Sequence, residues 1–125
     1  GKLDGLWEVY YENGQLNYKT NYKDGKEEGL QEWFSENGQL ESRQNYKDGK
    51  EDGPYEEYYE NGQLESRENW GEKYLDGLYE WYYKNGQLGS RGNYRDGEPD
   101  GLWEYFDEDG NLTETEEFKD GQPIE

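Results

Sequence analysis

Glycine returns at Gly5, Gly29, Gly53, Gly77 and Gly101, a constant 24-residue step with no insertion or deletion between copies. A period of this length constrains the architecture before any other property, because each copy is one small unit that buries its apolar side only against its neighbours. Inside each copy the segment NGQL recurs at Asn13–Leu16, Asn37–Leu40, Asn61–Leu64 and Asn85–Leu88, then as DGNL at Asp109–Leu112. Asn-Gly between alternating apolar segments is a strong hairpin signal. A second reversal follows as Asp-Gly at Asp24-Gly25, Asp48-Gly49, Asp96-Gly97 and Asp120-Gly121, again placing Gly where a positive φ is needed. The third copy departs: Glu72-Lys73 fills the turn slot and Gly71 comes two residues early, so a different loop is expected there.

Between the turns lie segments such as Leu6–Tyr11 and Leu16–Tyr22, rich in aromatics and too short for stable helices. The sequence therefore predicts an all-β fold of tandem β-hairpin repeats, an elongated, twisted, single-layer antiparallel meander. Ten strands at about 4.8 Å each would reach roughly 48 Å. The array spans 1–125 with units 5–28, 29–52, 53–76, 77–100 and 101–124, and residues 1–4 read as the remnant of a preceding turn. Opening at Gly1 without Met and in mid-motif, the chain reads as an excised fragment, while Glu125, in the slot of the next repeat glycine, reads as a natural end of the array. Pro54 replaces a repeat leucine and has no N–H, which a sheet tolerates near a strand start or edge; its place after Gly53 meets that condition.

Composition sets the remaining bounds. Only 28% of residues are apolar, against roughly 45–50% in ordinary globular domains, so a thick two-layer core is not expected. A net charge of −19 alone would point to disorder, but 14 Tyr, 5 Trp and 3 Phe supply large rings that stabilise sheets. With no Cys and no His, neither disulfides, a thiolate metal site nor a nucleophile–base pair can be proposed, so no enzyme and no cofactor is expected. No apolar run approaches the roughly 18 residues of a membrane helix. The negative charge would be repelled by nucleic acid and anionic lipid and favours a basic protein partner.

The pairing of faces depends on the Asn-Gly loop, since a two-residue loop and a three-residue loop with a Gly bulge give opposite parities. The bulged loop gathers the repeated apolar positions and is the one expected. It places Leu6, Leu30, Leu78, Leu102, then Tyr10, Phe34, Tyr58, Tyr82, Phe106, the NGQL leucines, and Tyr22, Tyr46, Trp70, Tyr94, Phe118 on one side as a core stripe. The other side then carries an aromatic strip, Trp7, Tyr11, Trp33, Tyr55, Tyr59, Tyr79, Trp81, Tyr83, Trp103 and Tyr105 together with Val9, beside a basic column of Lys19, Arg43, Arg67 and Arg91.

These residues resemble the MORN-repeat superfamily, and within it the bacterial variant with a unit close to G-x-W-x-x-Y-Y-x-N-G-x-L followed by Y-x-D-G-x-x-x-G. In the first unit Gly5, Trp7, Tyr10, Tyr11, Asn13, Gly14, Leu16, Tyr22, Asp24, Gly25 and Gly29 match, and the pattern returns four more times. The resemblance implies a protein-interaction module; proteins of this variant are commonly described as antitoxins of toxin–antitoxin pairs, and MORN arrays more widely as scaffolds, dimerisation modules or suggested lipid binders. As an antitoxin the chain would be cytoplasmic and would bind a basic toxin. A weaker likeness to choline- and glucan-binding surface repeats implies instead a carbohydrate or choline ligand and, with an upstream leader, a surface or secreted location. A third possibility is a spacer or oligomerisation ribbon pairing through its open sheet edges.

Each candidate constellation has a plainer counterpart. The column Glu8, Glu32, Glu56, Glu80 and Glu104 reads as a solvated face rather than a catalytic ladder, with cross-strand pairing to the basic column as structural support. Turn chemistry explains the acidic run Asp48–Gly53 without calcium, so no metal is expected. The Arg43, Arg67, Arg91 column and the rings have the composition of a protein interface, or else form stacks and cation–π pairs that stiffen a thin sheet.

Overall fold

The computed structural model describes residues 3–124, so Gly1, Lys2 and Glu125 fall outside it, and with them half of the expected leading remnant and the expected array end. Twelve strands form one antiparallel sheet: β1 Gly5–Tyr10, β2 Leu16–Lys23, β3 Lys26–Glu27, β4 Gly29–Phe34, β5 Leu40–Lys47, β6 Lys50–Tyr58, β7 Leu64–Trp70, β8 Gly77–Tyr82, β9 Leu88–Arg95, β10 Glu98–Phe106, β11 Leu112–Lys119 and β12 Gln122–Pro123. Spatial order follows chain order, with β3 pairing to β2 beside β4. The two strands beyond the expected ten are the short β3 and β12, which extend Asp-Gly hairpins. No helix occurs among the described residues.

Two turn types alternate along the two long margins of the sheet. At the first Asn-Gly loop the Tyr11 N–H donates to Gln15 O at 2.8 Å, the Gly14 N–H donates to Tyr11 O at 3.0 Å, and Gly14 sits at φ 89°. Asn13 keeps a negative φ, so this is the expected three-residue loop closed by a glycine bulge. The Asp-Gly turns place both residues at positive φ, 53° and 83° at Asp24-Gly25, as a two-residue type I′ turn demands. In the third copy a wider loop forms, with the Gly71 N–H donating to Tyr74 O at 2.7 Å and Trp70 pairing with Leu75. Pro54 follows Gly53, at φ 78°, where the β5–β6 register shifts.

A second irregularity redistributes the faces. Val9 pairs with Tyr18 while Tyr10 pairs with Leu16, which leaves Asn17 as an extra residue in β2. The same bulge recurs at Glu41, Glu65, Gly89 and Thr113. Each bulge inverts the parity of everything after it in its strand. Two columns therefore change sides relative to expectation. Tyr22, Tyr46, Trp70, Tyr94 and Phe118 join the Trp7 side, the ring face, while Lys19, Arg43, Arg67 and Arg91 join the Leu6 side, the leucine face. Ring contacts agree: Trp7 meets Tyr22 edge-on at 6.5 Å and Trp103 meets Phe118 at 6.2 Å.

The leucine stripe is consequently not the core: Leu6 is 59% and Tyr10 56% exposed. The best-buried ring is Trp103, 6% exposed, on the ring face. It lies among Tyr79, Tyr94 and Phe118 with centroids 5.7, 5.2 and 6.2 Å away, and its indole N–H donates to Asn93 O at 3.1 Å. Gly92 makes this possible, since a Cβ there would fall inside the Trp103 ring.

Successive repeats are also hooked together at the Asn-Gly margin. Tyr11, Tyr59 and Tyr83 each donate a phenolic O–H to the carbonyl 23 residues on, at Phe34, Tyr82 and Phe106. Asn13, Asn61 and Asn85 donate in the same way to Glu36, Lys84 and Glu108. In the second copy Ser35 replaces the tyrosine and turns back onto Asn37, so the junction with the third copy lacks both hooks.

Replacing Gly92 by Val should cost about 1–3 kcal/mol, the range for overpacking a filled site. A lower urea midpoint and red-shifted tryptophan emission would show this, and unchanged values would disprove the role given to Gly92.

Candidate functional site

The ten aromatic positions expected to form a strip do share the ring face, but they are not equally available. Trp7 and Trp33 are 44% and 42% exposed, Trp103 is sealed, and the others are half-buried. Trp103 is therefore a core residue and not a contact residue. Tyr18, which the repeat pattern did not single out, stacks on Trp33 at 4.5 Å. Five of the strip's six tyrosine hydroxyls, all but that of Tyr79, are hydrogen-bonded as well as covered, and at Tyr105 burial, then a hydrogen bond to Glu116, pushes the hydroxyl up to about 12.

The basic column does not border this strip. Arg43, Arg67 and Arg91 lie on the leucine face, where Arg43 Nε is 2.5 Å and Arg67 Nη2 2.6 Å from the two oxygens of Glu56, and Arg91 Nε is 2.8 Å from Glu104. Lys19 reaches Glu32 at 3.4 Å. Arg43 and Arg91 also lie over the Tyr58 and Phe106 rings, at 5.9 and 5.7 Å. The cross-strand pairing expected of the Glu column is present, but the column is not simply a solvated face: Glu56 is 5% exposed and held by two arginines. Burial raises its pKa and the Arg67 and Arg43 hydrogen bonds outweigh that, leaving the carboxyl below the usual range.

The ring face carries carboxylates of the opposite kind. A depression of about 350 Å³ across repeats two and three is lined by Trp33, Tyr46, Tyr55 and Trp70 together with Glu51, Glu57 and Glu68. Tyr46 pairs with Glu51, Glu68 lies directly opposite Tyr55, and Glu57 follows Tyr55 two residues on along β6. Tyr55 donates to Glu57 Oε1 at 2.6 Å and the Trp70 indole to Glu68 Oε1 at 3.2 Å. Among the described residues no lysine or arginine forms a salt bridge with these three acids. Burial first, then repulsion from Glu57 and Glu51, raises the Glu68 carboxyl above its usual range despite the indole bond. A larger depression, about 500 Å³ at the Asp-Gly margin, has no ring and mixes Lys26, Lys47 and Lys50 with acidic neighbours.

Tyr46, Trp70 and the three acids of this depression were not among the expected site residues. The clue was Gly92 beside Trp103, small against large across neighbouring strands, which puts Gly92 on the tryptophan side and so requires a parity change after the leucine. No group of acidic side chains positioned to hold a metal ion occurs among the described residues.

A protein-family model described as MORN repeat variant fits residues 3–24, 27–48, 51–70, 75–96 and 99–120, one segment per hairpin. Comparison with curated proteins gives no match.

Two glutamates on opposite faces should respond oppositely to neutralisation. Glu56, with a lowered carboxyl, contributes stability above the ordinary glutamate range that is lost as pH falls through its folded value. Glu56→Gln should cost about 2 kcal/mol at pH 7, with the deficit shrinking in acid. Glu68, with a raised carboxyl, is favourable when protonated, and that advantage is lost as pH rises through its folded value. Glu68→Gln should raise the melting temperature at pH 7, and the gain should fade as pH drops to the ordinary glutamate range. Calorimetry from pH 3 to 8 tests both signs.

Proposed function

This chain belongs to the MORN repeat variant family, and from that membership and the unlike charge of its two faces we propose that it is a binding ribbon that captures a basic protein on its ring face. In the specific form we favour, it is an antitoxin whose partner is a cationic toxin. The observation that carries this reading is the segregation of charge. On the leucine face Glu32, Glu56, Glu80 and Glu104 have lysine or arginine counterions of their own. On the ring face Glu51, Glu57 and Glu68 have none among the described residues, yet stand beside exposed or half-buried Trp and Tyr.

A face of rings and uncompensated carboxylates is suited to a surface rich in Lys and Arg. The rings supply rigid contact area at low entropic cost, and the net charge of −19 attracts a cationic partner at a distance. Carboxylates that repel one another in the free chain gain most from such a partner, because its cations relieve the repulsion. The single-layer sheet supports the same reading, since no second layer competes with a partner for the rings.

The chain, immobilised and exposed to lysate of its own cell, should retain a basic protein at low salt and release it by about 0.5 M salt, where the screening length falls well below 10 Å. Glu57→Lys should abolish retention. Glu8→Lys, the same charge change on the leucine face, should leave it intact. Retention of no basic protein, or equal effects of the two substitutions, would refute the assignment.

A further inference from the structure

We propose that the depression between Trp33, Tyr55 and Trp70 is a slot for one arginine guanidinium of the basic partner, an inference that rests on the functional reading above and specifies it. Positions 48 residues apart are equivalent, so Tyr46, Tyr55 and Trp70 correspond to Tyr94, Trp103 and Phe118. In repeats four and five the site is closed by the chain itself: the flat Trp103 indole lies over Gly92 and meets Tyr79, Tyr94 and Phe118.

In repeats two and three the same site is open. Gln44 stands where Gly92 would be and is itself 4% exposed, so its side chain fills the floor on which an indole would otherwise lie. Gln31 replaces Tyr79 and Glu57 replaces Tyr105. Tyr55 turns instead to Glu57, and among the described residues Trp33, Tyr46, Tyr55 and Trp70 do not stack on one another. What remains is a depression of about 350 Å³ with aromatic walls.

The substitutions also specify what fits. The closed copy holds a flat, conjugated ring; the open copy keeps two of its three flanking rings as Tyr46 and Trp70, keeps an acid at Glu68 where Glu116 stands, and gains Glu51 and Glu57. Glu57 and Glu68 are each anchored through one oxygen, by Tyr55 and by the Trp70 indole, and their second oxygens have no side-chain donor among the described residues. A guanidinium is planar, stacks on aromatic faces and donates along its edge to carboxylate oxygens in a fixed fork. An ammonium matches the charge without the flat shape, and a neutral urea matches the shape without the charge.

Three small amides separate these properties: N-acetyl-arginine amide, N-acetyl-lysine amide and the uncharged isostere N-acetyl-citrulline amide. Each is titrated into the isotope-labelled chain while the indole N–H signals of Trp33 and Trp70 are followed. Arginine amide should give saturable shifts at both indoles, lysine amide about fivefold weaker binding, and citrulline amide none. Glu57→Gln and Glu68→Gln should each weaken arginine amide about fivefold, with an unchanged circular dichroism spectrum confirming the fold. Unmoved indoles, or binding by lysine or citrulline amide as tight as by arginine amide, would overturn the slot. If a basic protein were still retained in a salt-sensitive way, the broader assignment would survive that failure. Loss of retention with intact arginine-amide binding would remove the broader assignment instead.

Discussion

A sheet with no layer packed against it has to shelter its side chains sideways, ring against ring along neighbouring strands, and the rest of this structure follows from that constraint. Trp103 is buried by residues of its own sheet, and Gly92 is the space that lets it lie flat. Elsewhere on this face Trp7 and Trp33 stay partly wet. The low apolar content is therefore compatible with order, because large aromatic side chains supply more shelter per residue than aliphatic ones. A leucine stripe has no comparable means of covering itself, which is why the leucines remain on the exposed side.

The recurring single-residue bulge turns this packing into a separation of charge. By inverting parity after each NGQL leucine, it sends Arg and Lys to the face where the repeated glutamates already point and brings the late tyrosine column under the tryptophans. One face becomes a lattice of ion pairs over Tyr58 and Phe106; the other becomes aromatic and acidic. Ion pairs at a partly wet surface contribute modestly one at a time. Glu56 is the exception, since two guanidinium groups converge on one buried carboxylate.

Much of the fold was legible in the residues because glycine is hard to replace where φ is positive. The step from Gly5 to Gly101, the Asn-Gly loops with their glycine bulge, the Asp-Gly turns and the failed turn at Glu72-Lys73 all appear where the sequence places them. The faces were not legible, because the second bulge falls at Asn17, Glu41, Glu65, Gly89 and Thr113, a column with no residue preference that would mark it. Bulges outside the left-handed region leave no such imprint. The ten aromatic positions thus share one face as expected, with Trp103 sealed among them, while the arginines lie on the opposite face. The acidic depression was missed because Glu57 is the one acid in the column of Trp33, Trp81 and Tyr105, Glu68 lies in a column of mixed residues, and both acquire meaning only beside Tyr55.

The replacement of the tyrosine hook by Ser35 has a mechanical consequence. In a linear array each unit is held only by its neighbours, so cooperativity is limited by the weakest coupling between adjacent units. The link between the second and third copies has its strand ladder and the Arg43–Glu56 pair but neither the phenol nor the amide clasp found at the other three links. Under load or heat the Asn-Gly margin should therefore open first at this link, while a ladder of five paired rows, against two between β7 and β8, keeps the second and third copies joined.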